Sequence, residues 1–134
     1  MTNPGLKTST SSIGPVVVCS FAGDMLMDNE SIAARTLDEA LGRGAAVLAV
    51  DLSGVELFTS SGLNALLAAR RAAAAMAVPV VLIAPSSGVR RVLELTEADS
   101  LFPVCATADQ AARVHARGNG HDHAQPGPQS AEAV

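Results

Sequence analysis

The run Asp51-Leu-Ser-Gly-Val-Glu-Leu-Phe-Thr-Ser-Ser-Gly-Leu63 decides how this chain is read. Ahead of it, Ala45 to Val50 is continuously apolar, as expected of a central strand buried on both faces. Behind it, from about Ser60 to Ala77, Leu63, Leu66, Leu67, Arg70 and Ala74 recur at helical spacing, and the alanines add high helix propensity. The run therefore ends a strand, crosses a short loop and opens a helix with three consecutive hydroxyl residues, Thr59, Ser60 and Ser61.

The same alternation continues in both directions. Upstream, Pro15 to Phe21 is a β-branched run that predicts a buried strand, broken by Gly23 and Asp24. Asp28 or Asn29 can cap a helix that turns Ile32, Leu37, Ala40 and Leu41 inward and stops at Gly42 and Gly44. Downstream, Pro79 leads into a strand from Val80 to Ala84, stopped by Pro85. Ser86 and Ser87 can cap a short helix carrying Val89, Val92, Leu93 and Leu95. Leu101 to Cys105 predicts a last strand, and Thr107 can cap a helix through about His115. Strands alternating with helices through short connections define an α/β fold. Residues 1–14 form an N-terminal segment in which Leu6 to Thr10 can add an edge strand. Residues 15–117 form the domain, and residues 118–134, polar and rich in Gly, Pro, Gln and His, form a tail expected to be disordered.

Composition narrows the function. The chain has 134 residues, enough for one domain with a layered core. Hydrophobic residues make up 49% but aromatic ones only 2%, so the stacking platforms of single-stranded nucleic-acid binders are missing. A net charge of −4 argues against nucleic acid or an anionic membrane as partner. No apolar run reaches the roughly 20 residues of a membrane span, and the N-terminus does not read as a signal peptide, so a cytoplasmic protein is expected. Cys19 and Cys105 lie in apolar runs and read as buried core residues rather than a redox pair.

Enzyme signatures do not emerge. Neither a phosphate-binding glycine loop nor the G-x-S-x-G elbow occurs, and Ser60 has no base placed beside it by sequence. The histidines are confined to His115, His121 and His123. His121 and His123 lack a third ligand at a recognised spacing, so neither a metal nor a cofactor is expected. If the strands ending near Phe21 and Asp51 are parallel neighbours, Asp24, Asp51 and Ser60 meet at one edge of the sheet, a place for recognition rather than catalysis.

The hydroxyl row itself has two uses. One hydroxyl is enough to cap the helix, a contribution of about 1 kcal/mol. A phosphate there would meet the free N–H groups and the positive end of the helix dipole while adding about 1.5–2 negative charges. Gly62 would leave a small, uncrowded surface open to another protein. From the residues alone both uses stay open, with capping the commoner.

Val47 to Leu67 resembles the signature of STAS domains, particularly bacterial anti-sigma factor antagonists. Asp51-Leu-Ser-Gly-Val55, then Glu56-Leu-Phe58, then Thr59-Ser-Ser-Gly-Leu63 keep its order. Phe21-Ala-Gly-Asp24, Val81-Leu-Ile-Ala-Pro-Ser86, Val89-Arg-Arg-Val-Leu-Glu-Leu95 and Leu101-Phe-Pro-Val104 extend the resemblance over roughly residues 15–115. It implies a STAS-like single domain with a mixed, mostly parallel sheet of about four or five strands and about four helices. It also implies a binding protein without catalytic residues. Its phosphoacceptor would be Ser60, with Thr59 and Ser61 as secondary candidates, and its docking surface would draw on Asp24, Asp51, Thr59, Ser60, Ser61, Gly62 and Asn64. The implied partners are an anti-sigma factor that is itself an ATP-dependent serine kinase, and a serine phosphatase. Two positions depart from the pattern: Thr59 and Leu26 stand where the family carries aspartates. A STAS scaffold or accessory subunit of a signalling or lipid-transport complex, without a phosphate cycle, is the alternative.

Overall fold

A computed structural model describes residues 5–113. Its strands are β1 (Leu6–Ile13), β2 (Val16–Met25), β3 (Val47–Phe58), β4 (Val80–Ile83) and β5 (Val104–Cys105). They form one sheet in chain order, with β1 antiparallel to β2 and every later pair parallel. The helices are α1 (Glu30–Leu41), α2 (Ser60–Ala75), α3 (Ser87–Leu95) and α4, helical over 108–113. Short 3-10 turns at Met27–Asn29 and Ala98–Leu101 lead into α1 and toward β5. This is the mixed α/β STAS-like architecture expected from the sequence.

The two faces of the sheet are covered unequally. On one, Val17, Cys19, Phe21, Leu48, Val50, Leu52 and Leu82 pack against Leu37 of α1, Leu66 and Ala69 of α2, and Val89 and Leu93 of α3. On the other, Val16, Val18, Val47, Ala49, Val81 and Ile83 form a smaller cluster met by Ala108, Ala111 and Ala112 of α4. Cys19 belongs to the first cluster and Cys105 to the second; both are free thiols. Burial pushes the Cys19 thiol up to about 11 and moves Cys105 in the same direction.

Four strands differ most from the sequence reading, each for a physical reason. β1 runs to Ile13 rather than Thr10, because every residue from Leu6 to Ile13 finds a partner on β2 through the Gly14-Pro15 turn. The last strand is confined to Val104–Cys105, Leu101 being drawn into the 3-10 turn whose Leu101 carbonyl accepts from Arg70 Nε at 3.0 Å. Most consequential, β2 and β3 continue past their expected ends. Gly23 and Asp24 do not break β2, and Asp51 does not end β3.

The extension of β3 escapes a period-two reading because the β2–β3 register shifts between Ser20 and Ala22 and again between Gly23 and Asp24. At each shift β3 carries one more residue than β2, a bulge that turns the following side chains to the other face. Leu52, Val55 and Phe58 are therefore the buried residues there, at every third position. Gly54 suits the first bulge, since a Cβ on it would lie 2.9 Å from that of Ala22.

Candidate functional site

The far ends of β2 and β3 meet α2 through a short set of bonds. Met25 pairs with Phe58, and Asp24 with Leu57. The Thr59 N–H donates to the Met25 carbonyl at 3.3 Å, and the Thr59 hydroxyl donates to the same oxygen at 3.0 Å. That hydroxyl also accepts from the Ser61 N–H at 3.2 Å, making Thr59, in extended conformation, the N-cap of α2. Its proton and a lone pair are both engaged.

The other two hydroxyls have different surroundings. Ser61 is buried, 8% exposed. Ser60, the first residue of α2, is exposed, and its hydroxyl makes no hydrogen bond among the described residues. Asn64, one helical turn on, is exposed on the same side. The row of three hydroxyls resolves into a cap, a surface group and a core group.

Gly62 does not leave the open surface expected of it. It is buried, and a Cβ there would lie 2.6 Å and 2.8 Å from atoms of the Phe58 ring and 3.1 Å from the Met25 Cβ. The glycine lets the helix backbone sit directly on the two residues that end β3 and β2. Ser61 and Gly62 thus support the site from beneath.

Asp24 lies beside this turn, half-buried, and its carbonyl accepts from Asn29 Nδ2 at 2.8 Å. Asn29 is itself buried and ties the start of α1 to the end of β2. Between them, Leu26 is half-buried and Met27 is 77% exposed; across the strand pair, Leu57 is 55% exposed. Met27 and Leu57 are candidate site residues that the sequence reading missed. The bulges hid the outward aim of Leu57, and nothing in the run Met25-Leu-Met27 separates the inward residue from the outward one.

Asp51 stands elsewhere. It pairs with Ser20 on β2 and Ile83 on β4, well before the end of its strand. Seven residues, Leu52 to Phe58, lie between it and Thr59. β2 covers that span from Ser20 to Met25 in five steps, so with one more step to Thr59 the separation is roughly 20 Å at about 3.3 Å per step. Its Oδ1 accepts from the Ser53 N–H at 2.9 Å and from the Ser53 hydroxyl at 2.7 Å. With Lys7, Ser9, Ser20 and Gly54 it lines a shallow cavity of about 240 Å³. The sheet edge therefore gathers Asp24 and Ser60 but not Asp51, because β3 continues where a loop was expected.

Among the described residues no His, Cys, Asp and Glu side chains gather in a group that could hold a metal, and no helix is long and apolar enough to cross a membrane. His115, His121, His123 and the tail from residue 118 lie outside the described residues.

Fold and motif together define a β-sheet domain that presents a capped helix start, and comparison with known proteins names the class. The STAS domain model matches residues 7–111, and the chain belongs to that family. Among solved structures it is similar to an anti-sigma factor antagonist from Mycobacterium paratuberculosis, at 27% identity and TM-score 0.70, covering 85% of this chain and 97% of that one. The unphosphorylated form of the anti-sigma factor antagonist SpoIIAA matches at 17% identity and TM-score 0.70, over 82% of this chain and 97% of that one. A STAS protein of Planctomyces limnophilus matches at 23% identity and TM-score 0.70, over 81% and 97% of the two chains. SpoIIAA of Bacillus is also solved in its phosphorylated form, similar at TM-score 0.63, with 17% identity over 81% of this chain and 99% of that one. No curated protein matches the chain.

Proposed function

We propose that this chain is an anti-sigma factor antagonist, a cytoplasmic binding protein that docks an anti-sigma serine kinase and is controlled by phosphorylation of Ser60. The observation that carries this reading is the division of labour in the hydroxyl row. Thr59 is committed to the Met25 carbonyl and the Ser61 N–H, Ser61 is buried, and Ser60, alone of the three, is exposed and has no partner among the described residues. The kinase would supply ATP and its metal. The Ser60 hydroxyl oxygen would attack the γ-phosphorus, ADP would leave, and the hydroxyl proton would pass to a base of the kinase. No residue of this chain is asked to catalyse, so it is a substrate and partner rather than an enzyme. A serine phosphatase would hydrolyse the phosphoserine.

Phosphate at the first residue of α2 sits where the helix dipole favours negative charge, so the fold tolerates it. The docking face loses by it: Met27 and Leu57 present exposed apolar surface beside Ser60, and a doubly charged group there must be desolvated when a partner closes on that face. Asp24, Thr59 and Asn64 complete the face. Thr59 and Leu26, where the family carries aspartates, favour a second reading, a STAS scaffold or accessory subunit of a signalling or lipid-transport complex that uses the face without a phosphate cycle.

Incubation with the cognate kinase and ATP, followed by intact-mass measurement, separates the two. One phosphate mapped to Ser60, absent from Ser60→Ala, is the expected result. A stable complex with no added mass selects the scaffold. Ser60→Asp should bind the kinase at least about tenfold more weakly, a difference of about 1.4 kcal/mol; wild-type affinity for that variant would falsify the switch.

A further inference from the structure

The outer edge of β1 is a regular, exposed strand edge. Its eight residues, Leu-Lys-Thr-Ser-Thr-Ser-Ser-Ile, pair with β2 without a register shift. It carries neither a proline nor a bulge, and its one charge, Lys7, lies near one end. Proteins that keep such an edge unpaired usually blunt it with those devices. Among the described residues nothing pairs with its outer side, where all but Leu6 and Thr10 are well exposed.

The hydrogen-bond phase of this edge is fixed by a bond at its start. The Asp24 N–H donates to the Gly5 carbonyl at 2.6 Å, so Gly5 and Asp24 form a hydrogen-bonded pair. With the continuous register, Lys7, Ser9, Ser11 and Ile13 then spend their backbone groups on β2. Leu6, Thr8, Thr10 and Ser12 turn theirs outward.

We propose that β1 is a homodimerisation edge, pairing antiparallel with β1 of a second copy about a two-fold axis through Ser9. In that register Leu6 faces Ser12 of the second copy and Thr8 faces its Thr10, and the reciprocal pairs follow from symmetry. All four outward-turned residues are then hydrogen-bonded, each pair exchanging two bonds. Side-chain alternation is also respected: Leu6, Thr8, Thr10 and Ser12 share one face of the sheet, while Lys7, Ser9 and Ser11 share the other. Each lysine faces Ser11, so the two positive charges are kept apart. The small hydroxyl side chains at the centre let the strands approach without a clash. The axis points the Ser60 end of one copy away from that of its partner, leaving both docking faces open. A single polar strand pair is a small interface, so the dimer is weak and concentration-dependent, with Kd between about 1 μM and 1 mM.

Cross-linking tests both the dimer and its register. Ser9 would face Ser9 of the second copy in a non-hydrogen-bonded pair, at about 4.5 Å between Cα atoms, within disulfide range. Under mild oxidation Ser9→Cys should yield a covalent dimer, reversed by reductant, while Ser11→Cys should stay monomeric. The native cysteines are buried and leave the introduced thiol as the reactive one. Sedimentation of the wild type should shift from monomer to dimer mass across the same concentration range. Thr10→Pro, which removes an outward N–H without touching the ladder to β2, should abolish the shift, with circular dichroism confirming a wild-type fold. If Thr10→Pro unfolds, Thr8→Pro tests the same edge. Equal cross-linking of the Ser9 and Ser11 variants, or a wild type that stays monomeric up to about 1 mM, overturns the proposal.

Discussion

The two halves of β3 carry the same local device at different places. In the first half, Asp51 accepts a hydrogen bond from the N–H two residues on, Ser53, at 2.9 Å. At the end, Thr59 accepts from the N–H two residues on, Ser61, at 3.2 Å. Around Asp51 the chain is a continuing strand, so the bond only shapes a bulge beside a shallow cavity. Around Thr59 the chain becomes a helix, and the hydroxyl is also tied to the Met25 carbonyl. Side-chain chemistry is thus not what separates a structural turn from a candidate docking site. The difference lies in the backbone just downstream. After Asp51 the strand resumes its pairing at Gly54, whereas after Thr59 the N–H groups belong to the first turn of a helix, which has no intrahelical partners for them.

The most damaging way to break that comparison acts beneath the helix start. In Gly62→Ala the added methyl meets the Phe58 ring and Met25, and the cost of overpacking, about 1–3 kcal/mol, exceeds what alanine gains in helix propensity. Urea unfolding should show a lower midpoint, and a variant as stable as wild type would mean that Phe58 moves aside freely. Next comes Thr59→Ala, which removes the cap and the bond to Met25 and should cost about 1 kcal/mol. Ser60→Ala, one residue on, should stay within about 0.5 kcal/mol because its hydroxyl is exposed and unpartnered among the described residues. Equal losses from these two neighbours would erase the division between cap and surface hydroxyl.

Much of this arrangement was legible in the sequence, and the failures have a common cause. The apolar runs at Val16 and Val47 marked buried strands, and the spacing of Leu63 and Leu66 marked a helix on the sheet. Capping chemistry located the start of α2 at Thr59–Ser60. Pattern reading failed where bulges change the side-chain period, from Ser20 to Met25 and from Asp51 to Phe58. There Gly23 and Ser53-Gly54 imitate turn residues, although the sheet continues through them. The same failure hid Leu57 and placed Asp51 beside Ser60. It also misjudged Gly62, since the space a glycine leaves is filled by residues distant in sequence, such as Met25. Asp24 does reach the helix start, because its neighbourhood depends on the pairing of β2 with β3, which the apolar runs encode.

The gentlest test, Asp51→Ala, addresses the first half of β3. The substitution removes two short bonds, both to the exposed Ser53, and leaves the pairing with Ser20 and Ile83 in place. Water can take over the freed Ser53 N–H and hydroxyl, so no buried donor is orphaned, and the loss should be within about 0.5 kcal/mol. Because roughly 20 Å of strand separates Asp51 from the helix start, the rate of Ser60 phosphorylation by the cognate kinase should also be unchanged. Initial-rate phosphorylation and urea unfolding on the same preparation check both expectations. A large fall in rate at unchanged stability would place Asp51 in contact with the partner, extending the docking surface around the sheet from one face to the other. A rate equal to wild type would confine that surface to the end of β3, where the cap, the exposed hydroxyl and the apolar residues Met27 and Leu57 lie together.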